Sequence, residues 1–180
     1  MQEIKAAVAH EFGKPLSVET VHLAAPKTGE VEVTLKACAI CHSDISFADG
    51  GWGGSLPAVY GHEAAGHVTA VGDGVDDLSV GDAVVVTLIR ACGTCPSCSE
   101  GKPTICSTPY DGDKGPLTMP DGSKLHQAMA SGAFAEKVVV SARQVVAVGN
   151  DIPLDAASLI ACGVIAGVGA VGNAAKMRPG

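Results

Sequence analysis

Across the first 150 residues, polar and apolar positions follow the two-residue period of strands rather than the period of helices. Glu30-Val-Glu-Val-Thr-Leu-Lys36 alternates polar with apolar, as a strand with one buried face does. Ala83 to Ile89 and Val138 to Val140 are continuous β-branched stretches, the pattern of strands buried on both faces. Gly72-Asp73-Gly74, Gly81-Asp82 and Asp121-Gly122 punctuate these runs with turns. The pattern predicts an all-β barrel or sandwich. Ser107 to Gly132 carries Pro, Gly, Asp and Lys without periodicity and is expected to be a long surface loop. Short helices are expected over Asp44 to Ala48 and, after Pro153, over Leu154 to Cys162. The chain therefore divides into a β domain over residues 1–150 and a helical segment over 151–180, with no internal repeat.

Composition narrows the function. The 180 residues suffice for one domain, or one domain and the start of another. Apolar residues make up 47% and aromatics 3%, so the core has to be built from Val, Ala, Leu and Ile. The net charge is −7, with 19 acidic and 12 basic residues and no two adjacent Lys or Arg. That excludes the electrostatic footprint of a nucleic-acid binder. The first residues lack a signal pattern, and the apolar stretch Leu159 to Gly172 is short and glycine-rich. A cytoplasmic protein without a membrane partner is expected. Seven cysteines is an odd number, and clustered thiols in a reducing compartment point to metal more than to disulfides.

Cys92, Cys95, Cys98 and Cys106 form C-x2-C-x2-C-x7-C. A tight loop can aim three sulfurs at one point, and the longer excursion returns the fourth, as a closed Zn2+ site requires. Plain packing gives no reason for two successive three-residue steps in a polar loop. An iron–sulfur cluster is the stronger rival, because bacterial ferredoxins share the first two spacings, although they continue with a shorter gap and Pro. Four sulfurs leave no room for substrate, so such a zinc is structural. Chemistry needs an open site with about three protein ligands. Two short strings offer candidates: Cys41-His42-Ser43-Asp44 and Gly61-His62-Glu63.

Those strings, the four-cysteine loop and Ala161-Cys-Gly-Val-Ile-Ala-Gly-Val-Gly-Ala-Val171, in this order, resemble the zinc-dependent alcohol dehydrogenases of the medium-chain dehydrogenase/reductase superfamily. The resemblance runs along essentially the whole chain. It implies a mainly β, GroES-like catalytic domain with short helices, followed in that family by a Rossmann domain for NAD(P) that is absent from these 180 residues. It implies two Zn2+ ions, one of them catalytic and held by Cys41, His62 and Cys162. It also implies that Glu63 lies beside that metal, that Asp44 fixes the tautomer of His62, that Ser43 takes the alcohol proton and that His42 lies near the cofactor pyrophosphate. Trp52, in a glycine-rich turn ten residues after His42, is expected on the wall of the substrate pocket.

Each assignment has a plainer counterpart. Asp44 and Glu63 could be solvated carboxylates, Ser43 a helix cap, His42 an exposed side chain and Trp52 scaffold packing. Cys38 is expected to be a buried thiol, and His10, His22, His67 and His126 to be ligands of nothing. Two positions depart from the family pattern. Ser46 stands where many members relay the proton with a histidine, and Ala166 where a threonine usually touches the nicotinamide. Gly167-Val-Gly-Ala-Val-Gly172 matches G-x-G-x-x-G, but it follows a helical pattern and lacks the acidic residue a dinucleotide fingerprint needs. The chain reaches Gly180 before a Rossmann fingerprint, so these residues alone are expected not to turn over alcohols.

The expected activity is oxidation of a small-molecule alcohol to an aldehyde or ketone with hydride transfer to NAD(P). The glycine-bearing loop at Met119-Pro-Asp-Gly122 resembles that of the glutathione-dependent formaldehyde dehydrogenase branch, so a thiol adduct of formaldehyde is an alternative substrate. A non-catalytic zinc-binding fragment and a zinc hydrolase are the remaining alternatives. An apolar Ala156 to Ala175 is expected to drive self-association or to receive a Rossmann-domain partner.

Overall fold

The structure, a computed structural model, describes residues 1–178. Ten strands form two five-stranded sheets: β1 Gln2–Ala9, β2 Ser17–Leu23, β3 Glu30–Ala39, β4 Ala58–Val59, β5 Glu63–Val71, β6 Ala83–Val86, β7 Leu117–Thr118, β8 His126–Gln127, β9 Lys137–Ser141 and β10 Val145–Ala147. One sheet has the order β7-β2-β1-β4-β8 and the other β10-β6-β5-β3-β9. Pairing is antiparallel except between β4 and β8. The mainly β, barrel-like class expected of the sequence is what the strands build.

The two sheets are joined by the segment that leads into β9. Phe134 O accepts from Ala7 N at 2.8 Å, and Glu136 N donates to Lys5 O at 2.9 Å, so this segment pairs with β1. Glu136 O then accepts from Leu35 N at 2.9 Å, and β9 continues along β3. One stretch of backbone thus passes from the first sheet to the second, and the side chains of β9 serve both cores. Val138 and Val140 pack with Val31, Val33, Val84 and Val86, while Val139 packs with Ile4, Val8, Val21 and Leu23. That is why Val138 to Val140 is an unbroken apolar run. The run Ala83 to Val86 has a different cause: its outer face is covered by Ala157 and Ala161, which pack on Ala65 and Val85.

Two expectations need correction. Ser107 to Gly132 is not a surface loop: Leu117 of β7 pairs with Leu23 of β2, β8 pairs with β4, and Leu117, Leu125 and Gln127 are buried. Strands of two residues are too short to show a period, so their buried side chains do not stand out among the turn residues. The helix expected over Leu154 to Cys162 is broken. After α1 (His42–Ala48) and α2 (Pro96–Ser99), α3 spans only Leu154–Ser158, a 3-10 turn covers Leu159–Ala161, and α4 (Gly163–Gly169) starts beyond Cys162. Cys162 itself has φ −143° and ψ −67°, and the segments on either side are bent by 53°. Among the described residues no single helix is long and apolar enough to cross a membrane. Val164, Ile165, Val168 and Val171 of the last helical stretch are exposed.

A buried ion pair locks β3 to β9. Glu32, 5% exposed, accepts from Lys137 Nζ at 2.9 Å, from Thr69 Oγ1 at 2.6 Å and from the Gln2 amide. Burial alone would raise its carboxyl pKa, but the Lys137 ammonium, Thr69 and Gln2 outweigh burial and hold it below its ordinary 4.5. A carboxyl depressed on folding stabilises the native state above its unfolded pKa and loses that contribution as pH falls through the lower folded value. Urea titrations from pH 7 down through pH ~4 should therefore show Glu32→Gln with a flatter stability profile than wild type and a loss of roughly 1–3 kcal/mol at neutral pH. Parallel profiles would count against the pair.

Candidate metal centres

The cysteine loop leaves the barrel at Ala91. Cys92 is followed by Gly93, whose φ of +80° reverses the chain. Cys95 sits at the N-terminus of the four-residue α2, where Pro96 supplies a preset φ, and a 3-10 turn at Pro103–Ile105 brings back Cys106. The four sulfurs lie within 4.8 Å of one another.

Backbone N–H groups point at them. Cys95 N donates to Cys92 Sγ at 3.2 Å, and Cys92 N donates to Cys106 Sγ at 3.4 Å. The Thr108 hydroxyl and the N–H groups of Thr94 and Cys95 hold the Cys92 thiol down to about 5. The N–H groups of Cys98 and Ser107 hold Cys95 down to about 7. Cys98 is pushed up to about 11: the Gly93 N–H favours its thiolate, but burial and the neighbouring sulfurs outweigh it. The loop thus favours negative charge on two sulfurs and penalises further charge beside them. A tetrahedral divalent cation removes that conflict, and a donor set of four thiols fits zinc.

The second cluster forms where three distant segments meet. Cys41 caps α1, so Ser43 is the second residue of the helix and not its cap. Asp44, 2% exposed, turns its carboxylate back on the segment leading into β5. Its Oδ2 accepts from Cys41 N at 2.9 Å, and its Oδ1 accepts from Gly61 N and His62 Nδ1, both at 3.0 Å. Gly61 has φ +95°, and a Cβ there would lie 2.6 Å from Phe134 N, so the residue before His62 has to be glycine. The sequence signal for it was the glycine opening Gly61-His62-Glu63.

With the Nδ1 hydrogen given to Asp44, His62 presents an unprotonated Nε2. That atom is buried and has no partner. Cys41, His62, Glu63 and Cys162 each bring one donor atom within 4.8 Å of the others. Cys162 reaches the cluster because the helical segment breaks at its own backbone. Its thiol is pushed up to about 11 by burial and then by Cys41, Glu63 and Asp44 around it. Gly163 N donates to Glu63 Oε2 at 3.4 Å and ties α4 to β5. Two sulfurs and an imidazole with an idle lone pair, with a carboxylate beside them, are a donor set that fits zinc.

The remaining residues lie further out. Ser43 is half-buried in the first turn of α1 and His42 is exposed. Trp52 is 60% exposed and stands edge-on against Phe47, with ring centroids 5.1 Å apart. Cys38, expected to be a buried thiol, is only half-buried, packed against the core of the second sheet, and burial pushes its thiol up to about 12. His10 and His126 are paired with Glu19 and Asp113 at 2.7 Å, carboxylate partners that spacing along the chain did not reveal. Leu88, Ile89, Thr104, Ile165 and Ala166 surround a cavity of about 420 Å³ beside Cys162. Sequence reasoning had not singled out the first three, because isolated apolar and Thr positions in an irregular stretch carry no periodic signal.

The two-sheet barrel thus carries two donor clusters suited to metal, a four-sulfur loop and a mixed thiol–imidazole group. Residues 27–150 match the family model described as the alcohol dehydrogenase GroES-like domain, and the chain belongs to that family. Alcohol dehydrogenase 1 of Trifolium repens is 35% identical over 98% of this chain and 49% of its own length. The crystal structure of an alcohol dehydrogenase zinc-binding domain protein from Burkholderia ambifaria superposes with a TM-score of 0.92 at 36% identity, covering 99% of this chain and 50% of that one. Benzyl alcohol dehydrogenase from Acinetobacter calcoaceticus gives 0.87 at 31% identity, with the same coverage. The chain spans about half the length of the curated relatives it matches.

Proposed function

We propose that these residues form the catalytic portion of a zinc-dependent alcohol dehydrogenase, which oxidises an alcohol to an aldehyde or ketone and passes the hydride to NAD(P). In this reading residues 1–150 are the GroES-like zinc-binding domain and 151–180 lead toward a nucleotide-binding domain. Cys41, His62 and Cys162 hold the catalytic metal, and Cys92, Cys95, Cys98 and Cys106 hold the structural one. The observation that carries the proposal is the buried, unpartnered Nε2 of His62 aimed among two thiols and a carboxylate.

A zinc bound there supplies Lewis acidity, lowering the pKa of a bound hydroxyl or polarising a carbonyl. The residues around it have separate tasks. Asp44 keeps the hydrogen of His62 on Nδ1, so that Nε2 faces the metal position. Ser43, two residues beyond Cys41 in the first turn of α1, accepts the alcohol proton, and because Ser46 replaces the usual relay histidine, the proton has to pass onward through water or another group. Glu63 approaches the metal position when substrate leaves. His42, exposed on the same helix, would hold the cofactor pyrophosphate, and Trp52, packed on Phe47, would wall the substrate pocket. The substrate is a small-molecule alcohol or aldehyde, and the compartment is the cytoplasm.

Metal analysis tests the assignment. Wild type is expected to carry two zinc ions per chain and Cys162→Ala one, with the barrel still folded. A single equivalent in wild type, or two in the variant, would overturn it. The exposed face formed by Val164, Ile165, Val168 and Val171 is where self-association or a Rossmann-domain partner would sit. Sedimentation should show association that grows with concentration, and a monomer at every concentration would remove self-association from the proposal.

A further inference from the structure

Cys162 reaches the open cluster from a segment with little to hold it. Ala157 and Ala161 pack on Ala65 and Val85, but among the described residues no member of α4 joins a buried apolar cluster. Val164, Ile165 and Val168 are exposed. Ala161 is therefore the last packed residue before the sulfur. Its methyl group fixes where that residue lies and leaves the following peptide plane free to turn about ψ.

The break also strands a carbonyl. The bonding of α4 starts with Ala166 N, which donates to Cys162 O at 2.9 Å, so Ala161 O lies outside that helix. Thr87, directly after β6, supplies the missing donor: its Oγ1 donates to Ala161 O at 3.1 Å, across 74 positions of the chain. The other contact of the hydroxyl sets the direction of its hydrogen. Ile89 N donates to Thr87 Oγ1 at 3.3 Å, which uses a lone pair and leaves the single O–H to face the carbonyl.

The backbone of Thr87 is itself clamped. Thr87 N donates to Gln144 O at 3.0 Å, and the side-chain amide of the buried Gln144 donates back to Thr87 O at 3.0 Å. On the far side of Cys162 the tie is longer, from Gly163 N to Glu63 Oε2 at 3.4 Å.

We propose that Thr87 is a positioning residue for the open metal site: its hydroxyl holds the Ala161–Cys162 peptide in the plane that brings the Cys162 sulfur to His62 and Cys41. Because a peptide is planar, a bond to Ala161 O fixes Cys162 N and Cα as well, and with them the root of the side chain. The inference rests on the open-site assignment of the alcohol dehydrogenase reading. It adds a residue that acts only through Cys162.

Thr87→Val removes the hydroxyl and keeps the branched shape. In the metal-free chain, alkylation by iodoacetamide, read at each cysteine by peptide mass, should speed up about 3- to 10-fold at Cys162 and stay at the wild-type rate at Cys41. Cobalt titrated into the open site, with zinc in the loop, should bind about 3- to 10-fold more weakly and show weaker thiolate-to-cobalt absorption. Thr87→Ser should restore both. Thr87→Ala makes the same test if valine is not accommodated, and an unchanged titration of the four-sulfur loop identifies a folded variant. Equal acceleration at Cys41 and Cys162 would overturn the proposal, because it would mean a general loosening of the site. So would rates and affinities within about twofold of wild type, or a serine variant that restores neither. If wild type takes no metal at the open site, the dehydrogenase reading fails, while alkylation of the metal-free chain still decides whether Thr87 holds Cys162.

Discussion

Cys98→Ala is expected to cost the chain one of two zinc ions and to unfold residues 92–106 while the barrel remains folded. The four buried apolar clusters contain no residue of that loop. Within it stand a four-residue helix and one 3-10 turn, neither long enough to persist alone. Its order therefore comes from the sulfurs and what they bind, and structural zinc supplies on the order of 10 kcal/mol in small domains. A zinc contribution of that size, read from the cysteine spacing alone, would be expected to carry much of the fold's stability. The structure narrows the damage, because the loop hangs from Ala91 outside both cores. Limited proteolysis should cut the variant inside 92–106, while its amide-exchange protection in β3, β5 and β9 stays near wild type. A protease-resistant loop, or a variant that still holds two zinc ions, would refute the assignment.

The second large effect is expected at Asp44. Its carboxylate accepts from two backbone N–H groups and the His62 ring within a buried site. Asn keeps the shape, and its oxygen at the Oδ1 position can still accept from Gly61 N and His62 Nδ1, but its amide hydrogens then oppose Cys41 N. Opposing one buried donor and replacing charge-assisted bonds to the other two by neutral ones should cost about 2–4 kcal/mol of stability. A neutral amide holds the His62 tautomer less firmly than the carboxylate and strains the Cys41 backbone, so affinity at the open site should fall by about 10- to 100-fold. Cobalt titration separates the two sites, and the four-sulfur loop should titrate as in wild type. Equal cobalt affinity at the open site in Asp44→Asn and wild type would mean that the carboxylate does not position the imidazole.

Features that depend on neighbours in the chain were legible before any coordinates. The four cysteines declared themselves by spacing, and the alternation of Glu30 to Lys36 and the run Val138 to Val140 became strands β3 and β9. The role of Asp44 followed from a resemblance, and the hydrogen bonds explain it: three residues beyond Cys41, it is one helical turn away and can reach back. What local pattern could not carry was long-range. Leu117 and Leu125 sit among turn residues and still fill the second core: Leu117 pairs with Leu23, far upstream in the chain, and Leu125 packs beside it. The break at Cys162 has no Pro or Gly before it to mark it. The break takes the cysteine out of the helical path and brings its sulfur to the cluster with His62.

The two clusters also differ in when they can form. Cys92 and Cys106 are 14 residues apart, so at about 5–20 residues per second a ribosome releases the whole loop within roughly 1–3 s. His62 and Cys162 are separated by 100 positions, roughly 5–20 s of synthesis. Throughout that interval the nascent barrel carries half a site, an imidazole and one thiol from Cys41, with nothing to complete it. In the proposed reading the closed loop can take its ion early, whereas the open site stays unfinished until the helical segment after Pro153 folds back, so its metal is taken later than the loop's.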